Sequence, residues 1–216
     1  MKKLGIVVPY YENSEEMRRR AEYLLDMLYE MVKESKKDAE VIVIEDGSDA
    51  KWIDKYDDLF KIEHLKHNTG VAHARNVGID YYINKVEYIG FIDADDTLSY
   101  DYIKEALKCA KEEVDYIDSR LIQDGIEAFG TNGNRIKQLD VVRCGVAGCF
   151  YKSSIIGDNR FLENLQIGED TEFAHRVINL NKHKKAVSNG IYVYNKGVNC
   201  NSLTMRHIRG EITENR

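Results

Sequence analysis

An apolar run that ends abruptly in carboxylates is the feature that most constrains the fold of this chain. The run extends from Tyr88 to Ile92, and Asp93, Asp95 and Asp96 follow it. Its mostly β-branched and aromatic residues predict a buried strand, and open α/β sheets bind their ligands at the carboxyl ends of such strands. We therefore expect the functional site at the end of this strand.

Two interpretations of the three aspartates stay open at this point. Like charges so close together raise one another's pKa unless a cation neutralises them, and carboxylate oxygens suit a divalent ion such as Mg²⁺ or Mn²⁺ that also binds substrate phosphates. Alternatively, the segment 96–99 caps a helix that begins near Tyr100, because Asp, Ser and Thr are preferred capping residues. The pattern Asp-x-Asp is too short to decide between a metal–diphosphate site and a helix cap.

Strand and helix signals alternate along the rest of the chain. Apolar residues at helical spacing predict a helix over 14–35, with Asn13 and Glu16 as its capping pair. The segment 119–142 has a weak pattern and is interpreted as an irregular, substrate-facing insertion. This order predicts an α/β fold in a single compact domain over 1–216. Further strands are predicted at 4–8, 40–45, 62–65, 114–117, 146–151 and 184–194, and further helices after Gly70, over 101–113 and from the segment 167–173.

The composition narrows the class of protein. With 43% hydrophobic and 31% charged residues, the chain is typical of a globular protein, and no apolar run approaches the roughly 18 residues that a membrane span requires. The net charge of −6 argues against nucleic acid or anionic lipid as an electrostatic partner. The four cysteines form no Cys-x-x-Cys pair, which favours a reduced, cytoplasmic protein. The segment 1–9 meets the only proline instead of a cleavage site, so it is interpreted as a strand rather than a secretion signal.

Three further polar segments have an ordinary structural interpretation beside a functional one. The segment 46–49, Asp-Gly-Ser-Asp, is a tight turn, and it lies at the same edge of the sheet as the aspartates if the strands are parallel. Gly70 opens a helix whose N-terminus can face an anion, and Arg75 within it is either a ligand contact or a solvated arginine. Glu169 and Asp170 lie in the first turn of a later helix, where the helix dipole favours acidic residues.

Several segments, taken in order, resemble the family 2 glycosyltransferases of the GT-A fold. They are VVPYYEN, EDGSD, NTGVAHARNVGI and FIDADD, followed by GEDTEF, and the resemblance covers nearly all of residues 4–180. It implies a Rossmann-like, mixed but mainly parallel central sheet with helices on both faces. It also implies a nucleotide-binding half over about 1–97, and an acceptor-binding half with a C-terminal tail over about 98–216.

The resemblance implies a role for each residue on the donor side of the site. The donor is a nucleotide-sugar, and a UDP-sugar is favoured. Pro9 and Tyr11 match positions that cradle the uracil and the nucleoside, and Asp46 matches the carboxylate that accepts from the uracil ring N–H. Arg75 matches a basic residue that reaches the nucleotide. Asp93 matches the residue that contacts the ribose.

The resemblance also implies the metal site and the catalytic base. Asp95 matches the ligand of a Mn²⁺ or Mg²⁺ ion that bridges the two donor phosphates, and Ser202 lies in a segment, NSLT, that matches an element over the diphosphate. His207 is a candidate metal ligand, with a solvent-exposed tail histidine as the alternative. Asp170 matches the base that takes the proton of the acceptor hydroxyl, with Glu169 as support or acceptor contact. One base without a protein nucleophile implies a single displacement with inversion.

The departures from the family pattern and the rival functions complete the expectations. The first strand reads Pro-Tyr-Tyr-Glu-Asn instead of Pro-x-Tyr-Asn, so the nucleoside contacts of Tyr10 and Tyr11 stay open. The acceptor is a glycan or another hydroxyl compound, and peripheral contact with a membrane stays open.

Two other functions are weighed against glycosyl transfer. A nucleotidyltransferase needs a glycine-rich basic loop after the first strand, which PYYENSEE does not offer. A non-catalytic glycan-binding module has no reason to keep both Asp95 and Asp170. The other histidines are interpreted as structural or surface residues: His64, His67, His73, His175 and His183.

Overall fold

The computed structural model describes residues 1–35, 37–123, 126–127, 146–178 and 182–195. The strands are β1 (Lys2–Tyr10), β2 (Ala39–Glu45), β3 (Lys61–His64), β4 (Val86–Phe91), β5 (Thr97–Leu98), β6 (Tyr116–Gln123), β7 (Ile126–Glu127), β8 (Phe150–Lys152) and β9 (Lys185–Tyr194). The α-helices are α1 (Glu15–Glu34), α2 (Val71–Tyr82), α3 (Tyr102–Cys109), α4 (Ser153–Ile156) and α5 (Glu169–Val177), and Lys51–Tyr56 and Ala110–Glu112 form short 3-10 helices.

The described strands form one mixed sheet in the order β3-β2-β1-β4-β8-β6-β9-β5, with β7 paired to β6. Strands β3, β2, β1 and β4 are parallel, β8 runs antiparallel to both β4 and β6, and β9 is parallel to β6. Strands β1, β2 and β4 are mostly apolar and buried, as expected for strands that are covered on both faces, whereas the edge strand β3 is mostly polar. The predicted α/β fold is confirmed.

Two apolar layers cover the sheet, one on each face. Ile6 and Val8 of β1 pack with α1 and α3 on one face, whereas Val7 packs with α2 and α5 on the other. This division follows from the alternation of side chains along a strand. Each fully buried side chain of this size contributes roughly 1.5–3 kcal/mol, so β1 is stabilised by both layers. No helix of the described residues is long and apolar enough to cross a bilayer.

The predicted capping pair of α1 is wrong. Ser14 caps this helix, because its hydroxyl accepts from the backbone N–H of Met17 at 3.1 Å. Glu16 instead accepts from Nε of Arg20 at 2.9 Å, one turn along the helix. Asn13 and Ser14 both suit the N-cap position, so the backbone conformation and not the residue type decides between them.

The residues after Ile117 form part of a strand, although their sequence pattern is weak. The prediction placed a strand at 114–117 and irregular structure from Ser119, but β6 continues to Gln123. It pairs with β9 in parallel, and the register shifts between Ser119 and Arg120. A local sequence pattern misses such a strand because its partner lies far along the chain. The rest of the predicted insertion, apart from β7, lies outside the described residues.

Candidate active site

A buried arginine joins the end of β4 to the start of α5. Arg75, on α2, is only 4% exposed. Its Nη2 donates to Oδ1 of Asp93 at 2.8 Å, and its Nη1 donates to Oε1 of Glu169 at 2.8 Å. We call these three residues the Arg75 clamp. The clamp brings together the acidic segment after β4 and the helix that carries the predicted base, which are far apart in the sequence.

The Arg75 clamp combines one positive charge with two carboxylates in a largely buried setting. Burial alone would lower the pKa of Arg75, but the nearby carboxylates of Asp93, Glu169 and Asp170 raise it, so the guanidinium stays charged. Burial raises the pKa of Glu169, and Arg75 offsets only part of this effect. The guanidinium also lies over the ring of Phe161, at 5.4 Å from its centroid. Asp93 and Glu169 thus already have a resident cation.

Arg75 has a structural role that sequence reasoning missed. Its contact with the nucleotide stays a prediction. Both terminal nitrogens bind carboxylates within the protein, and Nε is buried without a hydrogen-bond partner among the described residues. The alternative of a solvated helix arginine is wrong. The signal that could have indicated the clamp is the small, apolar neighbourhood of Arg75 in α2, where a charge needs a partner.

The predicted base, Asp170, lies beside the clamp in the first turn of α5. It is half-buried, and its Oδ1 accepts from the backbone N–H of Thr171 at 2.6 Å. Its Oδ2 accepts no hydrogen bond from any residue that the structure describes. Gly168, at φ +79°, turns the chain into this helix. The helix-dipole interpretation and the catalytic one are therefore compatible, because Asp170 is in the first turn and is also partly open to solvent.

Asp96 is the most buried carboxylate of the acidic loop, which we define as residues 93–96. Its Oδ2 accepts from the hydroxyl of Tyr192 at 2.5 Å, and its Oδ1 accepts from the backbone N–H of Asn195 at 2.9 Å. Burial raises the pKa of Asp96 well above its usual range, and Asp93 and Asp95 add to the effect. The helix-cap interpretation of this segment is wrong, because Asp96 faces the end of β9 and α3 begins only at 102.

Asp95 lies at the rim of a cleft between α1 and the acidic loop. Its backbone carbonyl accepts from Nδ2 of Asn195 at 2.9 Å and from Nη1 of Arg20 at 3.3 Å. These bonds fix the peptide that carries the predicted metal ligand. The cleft has a volume of about 320 Å³, and its lining residues are Glu16, Arg19, Arg20, Tyr23, Asp95, Asp96 and Thr97.

The clustered carboxylates of the acidic loop favour a divalent cation, although they do not form a complete set of ligands. Asp93 and Asp95 are close enough to raise the pKa of Asp96, so a cation beside Asp95 would relieve their repulsion. No three His, Cys, Asp or Glu side chains converge on one metal position within the described part of the chain. A metal on Asp95 would therefore rely on phosphate oxygens and water, which is the usual mode of Mg²⁺.

Asp46 anchors the start of α2. Its Oδ1 accepts from the backbone N–H and the hydroxyl of Thr69, at 2.8 and 2.7 Å, and its Oδ2 accepts from the backbone N–H of Gly70 at 2.8 Å. The adjacent Gly47 has φ +75°, and a Cβ there would lie 2.3 Å from the carbonyl carbon of His67. The two loops thus touch backbone to backbone. The role of Asp46 toward uracil stays a prediction.

The remaining donor-side residues lie at the end of β1 or outside the described residues. Pro9 is buried within β1, and Tyr10 is buried with its hydroxyl donating to Oε2 of Glu12 at 2.7 Å. Tyr11 is 40% exposed at the carboxyl edge of the sheet. Of the two tyrosines, Tyr11 is therefore the one open to a ligand. The predicted residues at 202 and 207, a serine and a histidine, lie outside the described part of the chain.

Comparison with known proteins decides the family. Residues 5–183 match the family model of Glycosyl transferase family 2. The chain belongs to glycosyltransferase family 2. This confirms the resemblance and the expected enzyme class, and it shows that the sheet and its two helical layers are those of a family 2 enzyme.

Relatives of this family 2 glycosyltransferase include a poly(ribitol-phosphate) glycosyltransferase and a teichoic acid biosynthesis protein. It is 30% identical over 118 residues to the poly(ribitol-phosphate) beta-N-acetylglucosaminyltransferase TarP of Staphylococcus aureus, which is 52% of this chain and 34% of that protein. It is 24% identical over 222 residues to the minor teichoic acid biosynthesis protein GgaA of Bacillus subtilis, which is 94% of this chain and 49% of that protein. The chain thus spans half or less of the length of these two proteins.

The fold has a clear counterpart among solved structures. The crystal structure of S. aureus TarS 1–349 superposes with a TM-score of 0.70 at 19% sequence identity, covering 89% of this chain and 60% of that one. At this identity the likeness shows the GT-A fold alone.

Proposed function

We propose that this family 2 enzyme transfers a sugar from a UDP-sugar to an acceptor hydroxyl, with inversion and with the help of Mn²⁺ or Mg²⁺ at Asp95. The observation that carries the proposal is the Arg75 clamp. It holds the first turn of α5, with Asp170, against the acidic loop, which contains Asp95. A cation that stabilises the leaving group and a base that takes the acceptor proton suit a single displacement at a sugar.

The chemistry assigns different tasks to the carboxylates. The anomeric carbon exchanges its bond to the UDP oxygen for a bond to the acceptor oxygen, and Asp170 takes the acceptor proton. The cation, when bound, neutralises the charge that develops on the departing diphosphate. Asp170 suits the base better than Glu169, because Glu169 is buried and bound to Arg75 whereas Asp170 is partly open. Glu169 supports the base by fixing the start of α5.

The donor uracil is proposed to lie between the loops after β1 and β2. Tyr11 is exposed there, and Asp46 is buried at the start of the turn 46–49 with both carboxylate oxygens bound to 69–70. A carboxylate oxygen can accept a further hydrogen bond, so these contacts leave room for the uracil N–H. Ser202 over the diphosphate and His207 as a further metal ligand belong to the same proposal.

The acceptor is proposed to be a hydroxyl of a polysaccharide or of a teichoic acid-like polymer. The names of TarP and GgaA support this class of acceptor. The net charge of −6 supports the expectation that nucleic acid is not a partner. We place the reaction in the cytoplasm, which the absence of a Cys-x-x-Cys pair supports, and where the enzyme can meet a membrane-linked acceptor by peripheral contact.

Release of UDP from a panel of UDP-sugars tests the proposal without knowledge of the acceptor. With Mn²⁺, the unmodified chain is expected to release UDP from at least one sugar donor. Asp95→Ala is expected to abolish the release, and Asp170→Asn to slow it by about 10²–10⁴-fold, the usual contribution of a general base. Asp57→Asn, at an exposed aspartate of the 3-10 helix end, is the matched control and should not change the rate.

Three outcomes would contradict the proposal. Release that does not depend on a metal would remove the assigned role of Asp95. Pyrophosphate release from UTP would indicate a nucleotidyltransferase instead. Binding of glycans without UDP release from any donor would indicate a binding module on the same fold.

A further inference from the structure

A histidine at the end of β3 lies between two carboxylates. Nδ1 of His64 is 3.1 Å from Oε2 of Glu45, and Nε2 is 2.7 Å from Oδ1 of Asp54. Carboxylates only accept hydrogen bonds, so both ring nitrogens must carry a proton to make both contacts. This arrangement fits the imidazolium form and not the neutral one. His64 was expected to be an ordinary structural or surface histidine, but it has two charged partners.

The groups that face His64 favour its charged form on balance. Burial lowers the pKa of the ring, and Lys51 on the 3-10 helix lowers it as well. Asp54 on the same helix and Glu45 on β2 raise it by more, so the net shift of the pKa is upward. The protonated state is therefore stabilised by the folded structure and is lost as the pH rises through this raised pKa.

Glu45 connects His64 to two loops through hydrogen bonds. It is 1% exposed, and its Oε1 accepts from both the backbone N–H and the hydroxyl of Ser48, each at 2.5 Å. The hydroxyl oxygen of Ser48 in turn accepts from the backbone N–H of Glu12 at 2.9 Å. We call His64, Glu45, Ser48 and Glu12 the His64 network. It joins β3 to the turn 46–49 and to the loop after β1.

These two loops carry the proposed uracil contacts. Tyr11 precedes Glu12, and Asp46 lies between Glu45 and Ser48, so the network holds the backbone on both sides of the nucleoside site. A neutral imidazole would face one of its carboxylates with a lone pair and repel it. Glu45 would then be a buried carboxylate without a cation, which is costly.

We propose that protonated His64 is a positioning residue that holds the loops of the uridine site, so that affinity for UDP falls when this histidine loses its proton. The inference rests on the proposed UDP-sugar donor and deepens it. It predicts that the affinity for UDP depends on the protonation of His64, which lies outside the proposed catalytic site. His64 touches neither the acidic loop nor the start of α5 through any contact that the structure describes.

Calorimetric titration of UDP into the full chain with Mg²⁺, at several pH values between about 5.5 and 9, tests the proposal across the range in which histidines titrate. Four proteins are compared: the unmodified chain, His64→Gln, Asp54→Asn and His73→Gln. His73 is the matched control, because its Nδ1 is likewise 3.1 Å from a carboxylate oxygen, that of Glu163, but it belongs to α2. Because UDP has its own ionisation, the Kd of each variant is divided by that of the unmodified chain at the same pH.

For His64→Gln, the ratio of its Kd for UDP to that of the unmodified chain is expected to fall steadily as the pH rises. At low pH, His64→Gln should bind UDP about 10-fold more weakly, which corresponds to about 1.4 kcal/mol, and the difference should vanish at high pH. His73→Gln should keep a ratio near one throughout. Asp54→Asn removes one charge from an exposed side chain, so it should fold and should move the pH midpoint downward without removing it.

Two contrary results have different meanings. A constant ratio for His64→Gln, or an unmoved midpoint for Asp54→Asn, would overturn the inference and leave the proposed donor intact. Absence of UDP binding by every protein at every pH would overturn the proposed donor together with the inference. A thermal melt at each pH shows which variants are folded, and Asp54→Asn decides the question if His64→Gln is not.

Discussion

Removal of the buried guanidinium of Arg75 tests whether the clamp supports the fold as well as the site. Arg75→Met keeps much of the apolar stem and deletes the charge, so Asp93 and Glu169 lose their shared cation. Loss of one partner of a buried ion pair costs about 3–5 kcal/mol, because the remaining charge stays buried and uncompensated. The two partners do not contribute equally, since the side chain of Asp93 is 27% exposed and can be rehydrated.

The magnitude therefore depends mainly on Glu169. Its side chain is almost fully buried, so we expect a loss near the lower limit, about 3 kcal/mol of the free energy of unfolding. For a domain of this size, 1 kcal/mol corresponds to about 2–4 °C, so the Tm should fall by about 6–12 °C. Burial raises the pKa of Glu169 even beside Arg75, and loss of the cation raises it further. The folded variant then binds a proton more readily than its unfolded chain, so its deficit should shrink as the pH falls through the raised pKa.

Urea denaturation followed by circular dichroism at pH 7 and pH 5 measures both effects. The matched control is Arg19→Met, because the side chain of Arg19 is 69% exposed and its pair with Glu16 is on the surface. Exposed pairs of this kind contribute about 0.2–1 kcal/mol, with little dependence on pH over this range. A loss below about 1 kcal/mol for Arg75→Met, or an equal loss at both pH values, would refute the account of the clamp.

Three further substitutions test the fold around the site by the same denaturation assay. Ser14→Ala should cost about 1 kcal/mol as a lost helix cap, and no loss would mean that another group caps α1. Gly78→Ala should cost about 1–3 kcal/mol, because its Cβ would lie 2.3 Å from Cγ1 of Val7, and a neutral effect would show that the two elements can separate. Tyr192→Phe should cost about 1–3 kcal/mol, because it removes the donor to buried Asp96, and full stability would mean that water replaces the hydroxyl.

The parallel half of the sheet was predictable because burial on both faces leaves a continuous apolar run in the sequence. Strands β1, β2 and β4 were each predicted within a few residues of their observed bounds. In the second half, β9 was predicted to within one residue of its observed bounds, whereas β6 was predicted too short, because its later part is defined by its pairing with β9 after a register shift at Ser119. A strand of this kind is defined by its partner, and the partner is not visible in a local window.

In the site too, features that follow from neighbouring residues could be predicted, whereas contacts between residues far apart in the sequence could not. The turn at 46–49 and the acidic loop could be predicted, since a strand end followed by carboxylates is a local signal. The contact of Arg75 with Glu169 joins residues 94 positions apart, and nothing near Arg75 in the sequence indicates its partner. The pairing of Asp96 with Tyr192, 96 positions apart, was missed for the same reason.

Burial divides the acidic residues of the family motifs into two groups, and this division bears on the proposed mechanism. Asp46, Asp96 and Glu169 are buried, and each binds a distant segment of the chain: α2, β9 and α2 respectively. A carboxylate in such a position cannot turn away to take a metal ion or a proton without leaving its own partner uncompensated, although Asp46 can accept a further hydrogen bond in place. Asp95 and Asp170 are only half-buried, so they can take a cation or a proton at lower cost. The buried acids thus form a rigid frame, and Asp93, which is also half-buried, is already paired with Arg75. This supports the assignment of the reactive roles to Asp95 and Asp170.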